Sequence, residues 1–156
     1  MTGRINLSKE SLVTSHSISI ELALIGISAA IEKSLSMGVQ TCISITDSHG
    51  HSIASARMDG APVQSILLAE AKAKSVAGNG VATHEFWELL KNEPSITSAS
   101  SQIQGAVWIA GGVPVTYREN LVAAIGISGR SSMSTDLEIA LVTQSAIVQE
   151  ISGKSK

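Results

Sequence analysis

Apolar residues recur at helical spacing through the first quarter of the chain, at Leu12, Ile20, Leu24, Ile27, Ile31 and Leu35. Ser8 precedes this stripe as a candidate N-cap with Glu10 in the first turn, and Gly38 ends it. We predict a first helix that buries the stripe. His16 lies four residues before Ile20 and is therefore expected on the same helix face.

A β-hairpin is predicted next. QTCISIT, residues 40–46, is rich in β-branched residues, and the following DSHG suits a turn that leads into HSIASARM, residues 51–58. Alternation along the second strand places His51, Ser55 and Arg57 on one face, with alanines on the other. The polar chemistry of this hairpin is therefore one-sided.

The rest of the chain predicts two helices, a second group of strands and a closing helix. Residues 65–77 favour a helix that ends at 78–80, and Thr83 is a candidate N-cap for a short helix that stops before Pro94. Residues 106–129 predict a three-stranded meander with a turn at 118–120. A closing helix follows, opened by capping-box spacing from Thr135 to Glu138, with an apolar stripe at Leu137, Ala140, Leu141, Gln144, Val148 and Ile151.

Together these elements predict one domain, residues 1–156, of the α/β (α+β) class. Its centre is an antiparallel five-stranded sheet flanked by helices, because hairpins rather than βαβ units connect the strands. A chain of 156 residues is long enough to bury a core without disulfides or metals.

Composition excludes several classes of function. A net charge of -2 leaves no basic field for nucleic acid, and no apolar run reaches the ~18 residues needed to cross a membrane. Cys42 is a single cysteine in an apolar run and is expected in the core. The N-terminus lacks a signal core, which favours a cytoplasmic location. With 44% hydrophobic and 15% charged residues, we expect homo-oligomers.

Catalytic motifs are mostly missing. The sequence has no phosphate-binding loop, no paired cysteines and no His-Glu-x-x-His pattern. GISGR, residues 126–130, is not a nucleophile elbow, since no histidine follows His84. His49 and His51 are two residues apart, and a metal chelate there would need a distorted turn.

Two glycine motifs leave a choice open. Asp59 and Gly60 follow Arg57 at a strand end, and Gly111 and Gly112 are adjacent in AGGVPV. Either the backbone approaches another group closely at these points, or the motifs form a tight turn and a β-bulge.

These motifs, taken in order, resemble one known family. ITDSHGHSIASARMDGAP, SILLAEAKAKSV, VATHEFWELL, IAGGVPV, VAAIGISG and DLEIA are similar to the GlcG/HbpS-like family, which includes the C-terminal domain of PduO-type proteins. The resemblance extends from about Leu7 to Val148. It implies a central antiparallel sheet with a profilin- or PAS-like layout, and homo-oligomers that are often octamers. It also implies haem binding in several members and a link to small-molecule catabolism in others.

The resemblance also implies site residues. The residues that match the family's motifs are Arg57, Met58, Asp59, Gly60, Lys72, Gly111, Gly112 and Pro114. Thr83 matches a threonine implicated in haem contact within the family. The chain departs from the family pattern at Ser48, His49 and Gly50, where a Gly-Gly turn is usual, and at Ser75 and Val76, where the family commonly has Thr and Ala. His49 thereby adds a ligand group that many relatives lack.

Haem or small-molecule binding is the first functional hypothesis. His16, His51 or Thr83 would lie at the iron, and Lys72 or Arg57 would pair with the propionates. The polar face of the hairpin and the Gly-Gly turn are expected to line one shared pocket.

Two other hypotheses remain open. A cofactor-free or metal-assisted enzyme, of the lyase, isomerase or hydrolase type, would act on a small carboxylate. Arg57 or Lys72 would hold the carboxylate, His51 would move a proton, and the N–H groups of residues 111–112 would face an oxyanion. Alternatively, the protein is a structural oligomer that assists a neighbouring enzyme. For Lys72 itself, the alternative to a ligand role is a position on a solvated helix face.

Overall fold

Five helices and four strands make up the part of the chain described, residues 14–100 and 102–153 of a computed structural model. In chain order they are α1 (Ile20–Ser36), β1 (Thr41–Thr46), β2 (Ser52–Arg57), α2 (Gln64–Asn79), α3 (Thr83–Leu90), α4 (Pro94–Ser100), β3 (Gly112–Tyr117), β4 (Asn120–Gly129) and α5 (Met133–Gly153). The predicted class, an antiparallel sheet flanked by helices, is confirmed.

The sheet has the strand order β2-β1-β4-β3, and all neighbouring strands are antiparallel. The prediction of a fifth strand, before β3, is wrong. Residues 106–111 are irregular because the Val107 N–H donates to the Ser75 hydroxyl at 2.9 Å instead of joining a strand ladder. The turn expected at 118–120 is confirmed, with positive φ at Arg118 and Glu119.

The two edges of the sheet differ. The β2 edge carries no proline, whereas β3 contains Pro114 and a register shift between Val115 and Thr116. Pro114 has no N–H to donate, and its carbonyl accepts a hydrogen bond from Gln144 Nε2 at 2.5 Å. The β3 edge is therefore blocked, and the β2 edge is open.

Helices cover both faces of the sheet. Helices α1 and α5 pack together on one face, where Ile43 and Ile45 of β1 join the main core. Helix α2 covers the other face, where Cys42 packs with Ala61 and Ala69. Cys42 is a free, buried thiol, as expected.

Helix α1 begins later than predicted, and of the predicted stripe within the described residues only Ile27 and part of Ile31 are buried. Ser19 caps it, so His16 lies in exposed, non-helical chain, and the predicted cap Ser8 is outside the described residues. Ile20, Leu24 and Leu35 of the predicted stripe are exposed, and small residues such as Ala23 face the core. The helix packs too closely for larger side chains, since a Cβ on Gly26 would lie 2.7 Å from Ile147 Cδ1.

Helix α5 also differs from its prediction. Its first turn is capped by Ser132, whose hydroxyl accepts from the Thr135 N–H at 3.2 Å, and not by a Thr135–Glu138 capping box. The buried positions are Asp136, Ile139, Ala140, Thr143 and Ile147.

The helices between β2 and β3 agree better with the predictions made from sequence. Helix α2 ends at Gly80 with φ 73°, in the left-handed cap conformation expected there. Helix α3 stops before Pro94, but α4 was not predicted. No helix among the residues described has the length and apolar character to span a membrane. The cytoplasmic location stays a prediction.

Gly126 brings α2 close to the sheet. A Cβ on Gly126 would lie 1.9 Å from the Ala69 carbonyl oxygen and 2.8 Å from the Ala73 nitrogen, both on the backbone of α2. Since backbone cannot move aside as a flexible side chain does, only glycine fits at this position.

We expect Gly126→Ala to lower the free energy of unfolding by about 3 kcal/mol, because α2 must move away from β4. Gly78→Ala is the matched control, because no atom lies within 4 Å of its added methyl group. Because Gly78 is an exposed helical position, this substitution should instead raise the free energy of unfolding by about 0.5–1 kcal/mol. Urea unfolding of both variants measures this, and equal effects would contradict the close approach of α2.

Candidate functional site

The predicted site residues lie in separate places. His49 and His51 are at the β1–β2 turn, Arg57 is at the far end of β2, and Thr83 is beside β3. Strands lie about 4.8 Å apart, so the β2 and β3 edges are roughly 14 Å from each other. The prediction of one pocket shared by the hairpin and the Gly-Gly turn is therefore wrong within a single copy of the chain.

The histidine-rich turn is organised by Asp47. Its Oδ1 accepts from the backbone N–H groups of His49 and His51 at 2.8 and 2.9 Å, and its Oδ2 lies 3.1 Å from His51 Nδ1. Burial is the largest single influence and raises the pKa of the Asp47 carboxyl, but the hydrogen bonds from His49 and His51 together outweigh it, so the pKa is lowered. The His51 side chain is 81% exposed. The cluster therefore holds a turn rather than lining an enclosed site.

His16 lies near the same turn. Its backbone carbonyl accepts from the Ser48 hydroxyl at 3.4 Å, and the side chain is exposed. Within the described part of the chain, no group of three or more His, Cys, Asp or Glu side chains could hold a metal ion. His16 and His51, the predicted metal ligands, thus have no pre-formed chelate around them.

The end of β2 forms a tight turn. Gly60 has φ 82°, and the Ala61 N–H donates to the Met58 carbonyl at 3.0 Å, with Asp59 exposed between them. Arg57 Nη1 donates to the Ala61 carbonyl at 3.3 Å. For this motif the tight-turn alternative is the one that the structure supports.

Lys72 lies at the centre of a buried polar cluster. Its side chain is 0% exposed, and Nζ donates to Asp136 Oδ2 at 2.7 Å and to the Ile127 carbonyl at 2.6 Å. The Ser131 hydroxyl donates to the other Asp136 oxygen. Burial lowers the pKa of the Lys72 ammonium, and Asp136 partly offsets that effect. The alternative prediction, that Lys72 lies on a solvated helix face, is wrong.

The Gly-Gly turn approaches this cluster. Gly111 has φ 110°, and a Cβ there would lie 2.9 Å from Lys72 Nζ and 2.8 Å from Asp136 Cβ. A Cβ on Gly112 would lie 2.5 Å from Thr83 Cγ2. The close backbone approach is real, but it is to the protein's own side chains. No β-bulge forms at these two glycines.

Hydrogen bonds within the protein already use Thr83 and Gly112. The Gly112 N–H donates to the Thr83 hydroxyl oxygen at 3.1 Å, and that hydroxyl donates to the Ile109 carbonyl at 2.6 Å. This arrangement leaves the Gly112 N–H without a free position for an oxyanion. His51, Arg57 and Lys72, predicted together as catalytic residues, are also not assembled at one place.

An apolar cavity of about 660 Å³ lies beside α3, and we call it the tryptophan cavity. Its lining residues are His84, Trp87, Glu88, Ala106, Val107, Trp108, Ile109, Ala110 and Met133. The Phe86 ring supports Trp108, with ring centroids 4.4 Å apart. The volume is within the range of about 300–1,000 Å³ that is typical of small-molecule sites.

Two polar atoms of this cavity's wall have no partner. His84 Nδ1 and Trp108 Nε1 are buried without a hydrogen bond among the residues described. A buried polar group left unpaired costs about 1–3 kcal/mol, and a water molecule or a ligand that supplies the hydrogen bond removes that cost.

Sequence reasoning missed His84. Its signal is its spacing from Trp87 and Glu88, three and four residues later, because these positions share one face of a helix. That spacing does not reveal the irregular segment 106–110, which forms the opposite wall.

Three comparisons place the chain among known proteins. A family model described as "Haem degrading protein HbpS-like" matches residues 18–143. The corrinoid adenosyltransferase PduO of Salmonella typhimurium is 32% identical over 120 residues, which is 76% of this chain and 35% of that protein. The chain thus spans about a third of the length of this relative.

Solved structures are similar over most of the chain. A double mutant of Streptomyces reticuli HbpS superposes with a TM-score of 0.79 at 27% identity, covering 93% of this chain and 97% of that one. A PduOC:heme complex superposes with a TM-score of 0.77 at 29% identity, covering 83% of this chain and 94% of that one.

We expect Lys72→Met alone to destabilise the protein by about 3–5 kcal/mol, because it leaves the Asp136 carboxylate buried without its partner. Asp136→Leu alone should cost a similar amount. The double variant should regain most of the loss, since two apolar side chains leave no uncompensated charge. Urea unfolding of the three variants gives the coupling energy, and additive losses would contradict a coupled buried pair.

Proposed function

The chain belongs to the HbpS-like family of haem-degrading proteins, and on that premise we propose that it binds haem in the tryptophan cavity. The observation that carries this proposal is the pair of unpartnered nitrogens, on His84 and Trp108, in the wall of an apolar cavity. A family relative, PduOC, has been solved as a heme complex.

The residues of the cavity fit the group. Haem needs apolar walls for its macrocycle and a ligand for its iron, and imidazole is a strong iron ligand. His84 is the histidine of this lining. A 180° rotation about the Cβ–Cγ bond exchanges the positions of Nδ1 and Cδ2, so Nδ1 can lie on either edge of the ring.

The proposed site differs from the one expected from sequence. Thr83 precedes His84, but its hydroxyl is held by Ile109 and Gly112. Lys72 and Arg57, the predicted partners of the propionates, are not in the lining of this cavity. We therefore assign Thr83 a positioning role, in which it fixes the segment that carries Trp108 and Ile109.

When bound, haem supplies a redox-active iron whose reactivity depends on its axial ligand and on the polarity of the pocket. The apolar side chains of Trp87, Ile109 and Met133 would exclude water from one side of such a ligand. His84 would orient it, and the Trp108 N–H would donate a hydrogen bond to a polar substituent.

Association of several copies is the second part of the proposal. Large apolar side chains are exposed on three helices, at Ile20, Leu24 and Leu35 of α1, Ile66 and Leu67 of α2, and Leu141 and Val142 of α5. Such a surface favours burial between copies. An octamer, which the family resemblance implies, would cover several of these faces at once.

We expect hemin to bind the wild-type protein with a Soret band and to quench most tryptophan fluorescence, because both tryptophans line the cavity. His84→Ala should shift the band and weaken binding about tenfold or more, a loss of at least ~1.4 kcal/mol. His51→Ala is the matched control and should leave both signals unchanged, since His51 is exposed at the β1–β2 turn.

Other outcomes would overturn the assignment. A Soret band that changes with His16→Ala or His51→Ala, but not with His84→Ala, would move the site to the β1–β2 turn. Hemin that fails to bind at micromolar concentration would remove haem as the ligand. Circular dichroism of each variant excludes loss of folding as the cause.

For the assembly, light scattering should give a mass that is a multiple of the 16.1 kDa chain mass. Leu24→Glu, Leu67→Glu and Leu141→Glu each add a charge to one exposed face, and the variant at the interface should lower the mass. A wild-type mass near 16.1 kDa would contradict association.

A further inference from the structure

A second, smaller cavity lies near the open edge of the sheet, between the β1–β2 hairpin and α2. It has a volume of about 210 Å³ and includes Cys42, Ser44, Ser55 and Arg57 from the strands and Ile66 and Glu70 from α2. We propose that this cavity binds a small monocarboxylate that carries a hydroxyl or ammonium group on the carbon next to the carboxylate. The site is separate from the tryptophan cavity.

Arg57 is the anion-binding group of this site. One of its N–H groups donates to the Ala61 carbonyl at 3.3 Å, which holds the guanidinium at the end of β2. No carboxylate of residues 14–100 or 102–153 lies within 4 Å of it, so its charge has no ion-pair partner in that part of the chain. A guanidinium presents five N–H donors, and its fork matches a carboxylate.

The field of Arg57 extends into the cavity. Burial raises the pKa of the Cys42 thiol, and the nearby guanidinium opposes that rise. Cys42 is paired with Arg57 across the β1–β2 ladder, and Ser44 with Ser55, so all four side chains lie on the same face of the hairpin. This face turns towards α2, where Cys42 packs with Ala69.

Glu70 determines which anion is favoured. It lines the same cavity from α2, and its Oε1 accepts from Lys74 Nζ at 2.6 Å on the exposed side of the helix. Lys74 offsets part of the Glu70 charge, and the remaining negative charge in the wall repels a dianion such as phosphate more than a monoanion. The carboxylate also offers an acceptor to a hydroxyl or ammonium group of the ligand. The charges of Arg57 and Glu70 therefore match a small 2-hydroxy or 2-amino acid.

The volume limits the size of the ligand. At about 30 Å³ for each water-sized atom group, 210 Å³ holds about seven non-hydrogen atoms. Lactate and alanine each have six. A tetrapyrrole is far larger, so haem cannot occupy this cavity.

The test is a titration of the isotope-labelled protein followed by backbone amide NMR. L-lactate or L-alanine should shift the amide signals of β1, β2 and the first half of α2, with a dissociation constant in the millimolar range. Propionate, which lacks the donor group, should bind more weakly than lactate. Inorganic phosphate should bind more weakly than either. Whichever of lactate and alanine binds more tightly identifies the donor group.

Arg57→Gln should weaken binding of the better ligand about tenfold or more, the scale of a lost charged hydrogen bond. Arg118→Gln is the matched control, because it removes the same charge at the β3–β4 turn and should leave binding unchanged. Glu70→Gln should reduce the difference in binding affinity between lactate and phosphate. Since Arg57 and Glu70 are not buried, these variants should keep the fold.

Three results would overturn the proposal. They are the absence of shifts at β1 and β2 with both lactate and alanine, phosphate binding as tightly as the better of these two ligands, and unchanged binding in Arg57→Gln. Hemin binding is measured separately and depends on His84, so failure at one cavity leaves the conclusion about the other intact.

Discussion

The buried ion pair between Lys72 and Asp136 is the interaction on which the rest of the domain depends. It joins α2 to α5 across the end of β4, whose Ile127 carbonyl takes another hydrogen bond from the ammonium. Gly111 then passes over these charges at a distance that excludes a side chain. The pair thus sets where β3 begins and where the preceding segment, with Trp108, forms the wall of the tryptophan cavity.

Much of the fold could be predicted because its signals are local. The β3–β4 turn is formed by Arg118 and Glu119, and α2 is ended by the left-handed conformation of Gly80. Each of these signals depends only on residues a few positions away in the sequence. The faces of α1 and α5 could not be predicted in the same way. Periodicity identifies large apolar residues, but contact between these helices selects small ones such as Gly26 and Ala30, and leaves Leu24 and Leu141 exposed.

The site was harder to predict than the fold. The cluster of His49 and His51 is conspicuous in sequence, yet Asp47 shows that it stabilises a turn. From sequence alone, Lys72 is expected at the surface, because its buried partner Asp136 is 64 positions away in the chain. Arg57 and Gly112 belong to one family pattern but stand at opposite edges of the sheet. Each of these outcomes depends on contacts between distant parts of the chain, which spacing in sequence does not encode.

The unequal edges of the sheet have a consequence for aggregation. A fibril grows by strand addition only if each copy has two free sheet edges, because each copy must pair with one neighbour on either side. Pro114 and its neighbours remove one of these edges, and β2 keeps the other. Two copies that pair through β2 therefore form a continuous eight-stranded sheet that ends in a blocked strand on both sides, so the pairing terminates itself.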